Sequence, residues 1–124
     1  MNSLSPLLQS GDWKGEKHIP IIHAPEKVKA DDKIEIKLSV GDSIKHPNTF
    51  EHHIAWFKLF YLPNGGKFPV ELADFKFSAH GEGKAYAEPA AAITVQLKTS
   101  GTLYGLSYCN IHGLWESSKE IIVD

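Results

Sequence analysis

The stretch "KIEIKLSV", residues 33–40, alternates strictly, with Ile34, Ile36, Leu38 and Val40 on one side and Lys33, Glu35, Lys37 and Ser39 on the other. Successive side chains of an extended backbone point to opposite faces, so a period of two describes a half-buried strand and not a helix. Working outward, Ile93 to Leu97 repeats the pattern, with Ile93, Val95 and Leu97 inward and Thr94 and Gln96 outward. "HIAWFKLFYL", residues 53–62, is apolar on both faces apart from Lys58 and runs into "PNGG", which reads as a central strand closed by a turn. Phe75 and Phe77 mark a short strand in "DFKFSA", and Leu103 to Cys109 forms another after the Ser100–Gly101 turn. Ile19 to His23 and Glu120 to Val123 add a strand at either end. No segment has helical periodicity; "AYAEPAAAI" is alanine-rich, but Pro89 interrupts it. About seven short strands separated by Gly, Pro and Asn turns predict an all-β antiparallel sandwich or barrel, in one domain over residues 1–124.

With 124 residues, 42% of them hydrophobic and 23% charged, the chain can bury a core and is not disordered in bulk. A formal net charge of −2 argues against nucleic acid as a partner. All 13 basic residues are lysines, so bidentate guanidinium recognition is absent and cationic work falls to point charges. A single cysteine cannot close an intrachain disulfide, which fits a reducing compartment. The N-terminal "MNSLSPLLQSGDWKGEKH" lacks a basic export signal and a membrane-spanning apolar run, and the expected location is cytoplasmic.

Three segments could carry chemistry. In "YCNIHGLW", Cys109 and His112 leave a strand at a spacing that a reversing chain can fold onto one metal ion, and Asn110 and Gly113 suit such a turn. Taken alone, the commoner reading of such a thiol is a small buried hydrophobe beside a surface imidazole. In "KHPNTFEHHI", His46 precedes a loop and His52–His53 open the central strand; on strand parity only one of the two can face a given site. In "KGEKHIP", His18 precedes a strand with Glu16 and Lys17 just upstream, a pattern that by itself describes a solvated charged loop. His23, His53 and His80 have no partner signal and are read as surface or packing residues; Trp13, Trp56 and Trp115 are read as core or interface bulk.

Four histidines and one cysteine near strand ends meet only if the sandwich gathers those ends at one rim. Structural zinc favours four ligands with more sulfur, and catalytic zinc keeps three protein ligands. Blue copper takes two histidines, a cysteine and a weak axial ligand, usually methionine; the only methionine here is Met1. Several imidazoles with one thiolate and a vacant position suit a redox-active iron. A cupredoxin-like electron carrier and a binding module with incidental histidines remain as alternatives.

"GDWKGEKHIP", "HPNTFEHHI" and "SYCNIHGLW", three motifs in order between Gly11 and Trp115, resemble the signature segments of the superoxide reductases, in the one-iron form also called neelaredoxins. The resemblance implies an immunoglobulin-like β-sandwich with a mononuclear non-haem iron. Its equatorial ligands would be His18, His46, His52 and His112, and its axial ligand the Cys109 thiolate. Glu16 would occupy the sixth position in the ferric state, and Lys17 would attract superoxide and assist protonation. It further implies rubredoxin as electron donor and a homotetrameric assembly. The two-iron relatives carry an N-terminal module with four iron-binding cysteines; this chain has none of those cysteines.

Overall fold

A computed structural model describes residues 2–124. Eight strands run in chain order: β1 (Ile21–His23), β2 (Lys27–Val28), β3 (Ile34–Ser39), β4 (Ile54–Pro63), β5 (Val70–Lys76), β6 (Ala90–Val95), β7 (Gly101–Cys109) and β8 (Gly113–Val123). They form two sheets, a three-stranded one in the order β1-β3-β6 and a five-stranded one in the order β2-β8-β7-β4-β5. The alternation in "KIEIKLSV" becomes β3, the centre of the smaller sheet, where Ile36 and Leu38 are fully buried and Glu35 and Lys37 are exposed. Ile36 and Leu38 pack with Phe57 and Leu59 of β4 and Leu103 of β7 in one apolar cluster between the sheets.

Several boundaries differ from the sequence reading. The last strand is not confined to Glu120–Val123: β8 starts at Gly113 and pairs with the whole of β7, from Cys109↔Gly113 to Gly101↔Ile121. Its first half is half-buried without alternation, so periodicity could not find it. Phe77 lies one residue beyond β5, and β2 is a two-residue strand too short to leave a pattern. β2 also pairs in parallel with β8, an exception in otherwise antiparallel sheets. None of the tryptophans is in the core: Trp13 is exposed, and Trp56 and Trp115 are half-buried.

Two features of this frame bring distant segments to one end of the sandwich. The β7–β8 hairpin reverses over Asn110–His112, and Gly113 takes a φ of +79°, a conformation that costs a residue without Cβ little. Ile54 pairs with Cys109, which lays the segment before β4 directly beside that hairpin turn.

Candidate metal centre

Cys109 ends β7, fully buried, as the last inward residue of the strand's alternating pattern. Two residues earlier on the same face, the buried Ser107 hydroxyl donates to the His18 carbonyl at 2.6 Å. That bond pins the segment before β1 to β7 and delivers His18 to the end of the strand. Asn110 secures the other side. Its backbone N–H donates to the His53 carbonyl at 3.2 Å. Its side chain accepts from the His53 N–H at 2.8 Å and donates to the Glu51 carbonyl at 2.9 Å. The segment carrying His52 is thereby tied to the turn carrying Cys109 and His112. In the sequence Asn110 signals turn geometry alone and Ser107 signals nothing; no local pattern marks either bond, since each partner lies more than fifty residues away.

The donor atoms of His18, His46, His52 and Cys109 all lie within 4.8 Å of one another. His112 completes the arrangement. Neighbouring ring centroids are 4.7 Å apart for His18–His46, 4.6 Å for His46–His52, 5.0 Å for His52–His112 and 4.8 Å for His112–His18. The diagonal His18–His52 is longer, at 6.3 Å, as four corners of a square require. Cys109 Sγ lies 3.8 Å from His112 Nδ1 and accepts the His112 backbone N–H at 3.4 Å. Four imidazoles thus ring a point, with one sulfur beside it.

The nitrogens are aimed as metal ligands need to be. His46 Nδ1–H donates to the Pro47 carbonyl at 2.6 Å, which leaves its Nε2 as a bare lone pair. His46 Nε2 and His52 Nε2 are both buried without a hydrogen-bond partner. Unpaired buried acceptors are costly, and two converging on one point are accounted for by a cation between them. The His18 Nδ1 faces Glu16 Oε1 at 2.5 Å while its Nε2 faces His112 Nδ1 at 3.1 Å. His112 therefore presents Nδ1 and the others Nε2. Imidazole and thiolate together suit iron, copper or zinc, and four imidazoles in a ring exceed what tetrahedral zinc or a two-histidine copper site would use.

Glu16 stands behind His18 and not among the four converging donors: its Oε1 accepts both the His18 N–H at 2.8 Å and the ring Nδ1–H. Burial opposes the charge on Glu16, but the His18 hydrogen bonds outweigh it and hold the carboxyl below its usual pKa. Lys17 is half-buried beside it, and its charge acts on the rings of His18, His46 and His52. Trp115 lies parallel to His18, with ring centroids 4.7 Å apart, and its indole N–H donates to the His112 carbonyl at 3.2 Å. The reading of Trp115 as bulk is thereby corrected; it braces two of the four histidines. His53 points away from the cluster, as strand parity requires, and its Nδ1–H donates to the Thr49 carbonyl. A concavity of about 930 Å³ between β1 and β8 is lined by none of the five clustered residues.

Burial drives the His46 pKa down to about 4 and lowers those of His18 and His52, so the rings are neutral donors at pH 7. An unfolded chain takes up these protons near pH 6.5, before folded His46 does. The unfolded state then binds more protons, and folding stability is lost as pH falls from about 6.5 toward 4. His46 alone accounts for up to about 3 kcal/mol of that loss. We expect the melting temperature of the metal-free chain to drop steadily across this interval; a flat profile in a pH-scanned melt would contradict the assignment.

Residues 10–118 match the family model described as Desulfoferrodoxin. A superoxide reductase of Pyrococcus abyssi is 46% identical over 118 residues, covering 95% of this chain and 98% of that protein. A crystal structure from Thermotoga maritima, of a protein named provisionally as a superoxide reductase, superposes with a TM-score of 0.97 at 48% identity, over 100% of this chain and 99% of that one. A superoxide reductase (neelaredoxin) of Archaeoglobus fulgidus in the reduced form gives 0.86 at 41% identity, over 94% and 98%. A family match over most of the length, and relatives aligned nearly end to end, lead to one conclusion: the chain belongs to the desulfoferrodoxin family, among its superoxide reductases and neelaredoxins.

Proposed function

We propose that the chain reduces superoxide to hydrogen peroxide at one iron ion held by His18, His46, His52, His112 and Cys109. The observation that carries this reading is the square of imidazoles beside a buried thiol, with two buried Nε2 atoms left unpaired. Bound ferrous iron would supply the electron and an open coordination position for a small anion. The reaction balances as superoxide plus one electron plus two protons giving hydrogen peroxide, with the electron replaced by an external donor. Rubredoxin is the donor we propose, and a homotetramer in the cytoplasm the working form. No helix among the described residues is long and apolar enough to cross a membrane.

The chain's own residues set the conditions. The His112 N–H donating to Cys109 Sγ withdraws charge from the thiolate, one of the ways a protein tunes such a centre. Glu16 fixes the His18 ring through Nδ1, so that Nε2 is the free lone pair. The ferric-state ligand role implied for Glu16 requires it to release His18, a movement a carboxylate on this half-exposed segment can make. Lys17 supplies positive charge at the rim of a chain whose net charge of −2 repels the substrate at long range. Its reach is about 8 Å at physiological ionic strength. Lys17→Ala should slow superoxide capture about tenfold at low salt, and the deficit should shrink as salt is added; pulse radiolysis across a salt series measures both.

The deciding experiment purifies the chain anaerobically, measures its metal content and adds superoxide with reduced donor. Iron near one per chain and one peroxide per superoxide support the proposal. Half a peroxide per superoxide, with dioxygen evolved, identifies a dismutase. Copper in place of iron restores the cupredoxin-like reading, which uses two of the imidazoles and leaves the other buried nitrogens unexplained.

A further inference from the structure

His80 is absent from every role above, yet it is buried, at 6% exposure, just beyond β5. Both of its ring nitrogens face oxygen. Nε2 lies 2.7 Å from the Phe77 carbonyl and Nδ1 lies 3.1 Å from Asn48 Oδ1. The Asn48 amide cannot be turned round, because its Nδ2 donates to the Ala87 carbonyl at 3.1 Å and a flip would set two acceptors against each other. The ring thus sits between these two oxygens, within hydrogen-bonding distance of each. The ring also lies flat on His53, centroids 3.5 Å apart and planes within 6°. The groups facing it are few. The segment before β4 contributes the His53 ring, Phe77 only its carbonyl, and the following turn Glu82, whose carboxylate accepts the His80 backbone N–H at 2.9 Å. That hydrogen bond, with the nearby rings of His80 and His53, lowers the Glu82 pKa.

Asn48 and His53 bracket His52 and follow His46 in the chain, so both contacts of His80 fall on the one segment that carries two of the four imidazoles. We propose that His80 is a positioning residue of the metal centre. Lying between Asn48 and the Phe77 carbonyl, its ring ties Asn48 to the end of β5, and its face supports His53 by stacking. It thereby holds residues 46–53 in the conformation that aims both the His46 and His52 Nε2 atoms at the ion. It touches neither ligand and acts through their neighbours.

The proposal rests on reading the cluster as a metal centre, and the test separates the two. Iron-loaded protein is mixed with a competing chelator, and iron loss is followed by absorbance. His80→Phe keeps a flat ring on His53 but removes both hydrogen bonds; it should lose iron about tenfold faster and shift the visible band. A folded His80→Phe that holds iron as long as wild type, with an unshifted visible band, overturns the proposal. Should His80→Phe fail to fold, Asn48→Ala removes one acceptor only and must speed iron loss in the same direction; an unchanged rate overturns it equally. A wild-type chain that holds no iron sinks the metal reading instead.

Discussion

Cys109→Ser is expected to bleach the visible absorption of the oxidised, iron-loaded protein and to lower its superoxide reduction by more than about 100-fold, beyond what loss of a residue behind the ligands costs. The thiolate is the one soft, electron-rich donor among imidazoles, and the charge-transfer colour of a ferric centre of this type belongs to it. A serine hydroxyl at the same place is a poor donor and stays protonated. Cys109 is fully buried and its sulfur accepts the His112 N–H, so the variant also leaves that N–H with a shorter, differently placed acceptor. Iron content and the spectrum of the oxidised protein are read together. An unchanged visible spectrum at full iron loading would exclude Cys109 as a ligand, whatever happened to activity.

Asn110→Ala should damage the site from outside it. The side chain makes two of the three hydrogen bonds that join the β7–β8 turn to residues 51–53. Each contributes about 0.5–1.5 kcal/mol, so a loss of roughly 1–3 kcal/mol in stability is expected. The larger consequence is geometric. With the turn unhooked, His52 and the Cys109–His112 pair are no longer held at a common distance, and iron retention should fall about 10–100-fold, the cost typical of residues that orient ligands. Asn110→Asp provides the internal control. It keeps the oxygen that accepts from the His53 N–H and loses only the donor to the Glu51 carbonyl, so its iron retention should lie between wild type and alanine. Equal iron retention in all three proteins would show that the turn holds itself.

Much of the fold was legible because its signals are local. The alternation of residues 34–39 reports directly which side of β3 meets the core, and the doubly apolar run of β4 reports a strand covered on both faces. The first half of β8 escaped because Gly113 to Ser117 are all half-buried, on a strand lying over the metal end of the sandwich where neither face is plainly core or solvent. Trp115 was misread for the same reason: its size predicts burial, but its partner is the His18 ring, ninety-seven residues away in the chain.

What the sequence by itself determined was the strand periods and the stock of donors: one thiol, imidazoles at strand ends, and a carboxylate and an ammonium ahead of His18. Only the tertiary structure decided how those donors are used. Which nitrogen of an imidazole faces inward depends on what its other nitrogen bonds, and those partners differ from ring to ring: a carboxylate behind His18, a backbone carbonyl behind His46. The cyclic order of the four rings, and the place of Glu16 behind His18, follow from Ser107 and Asn110 reaching across the sheet to segments remote in the chain. A pattern of residue types records what each segment buries; it carries no record of the directions in which hydrogen bonds between segments turn a ring.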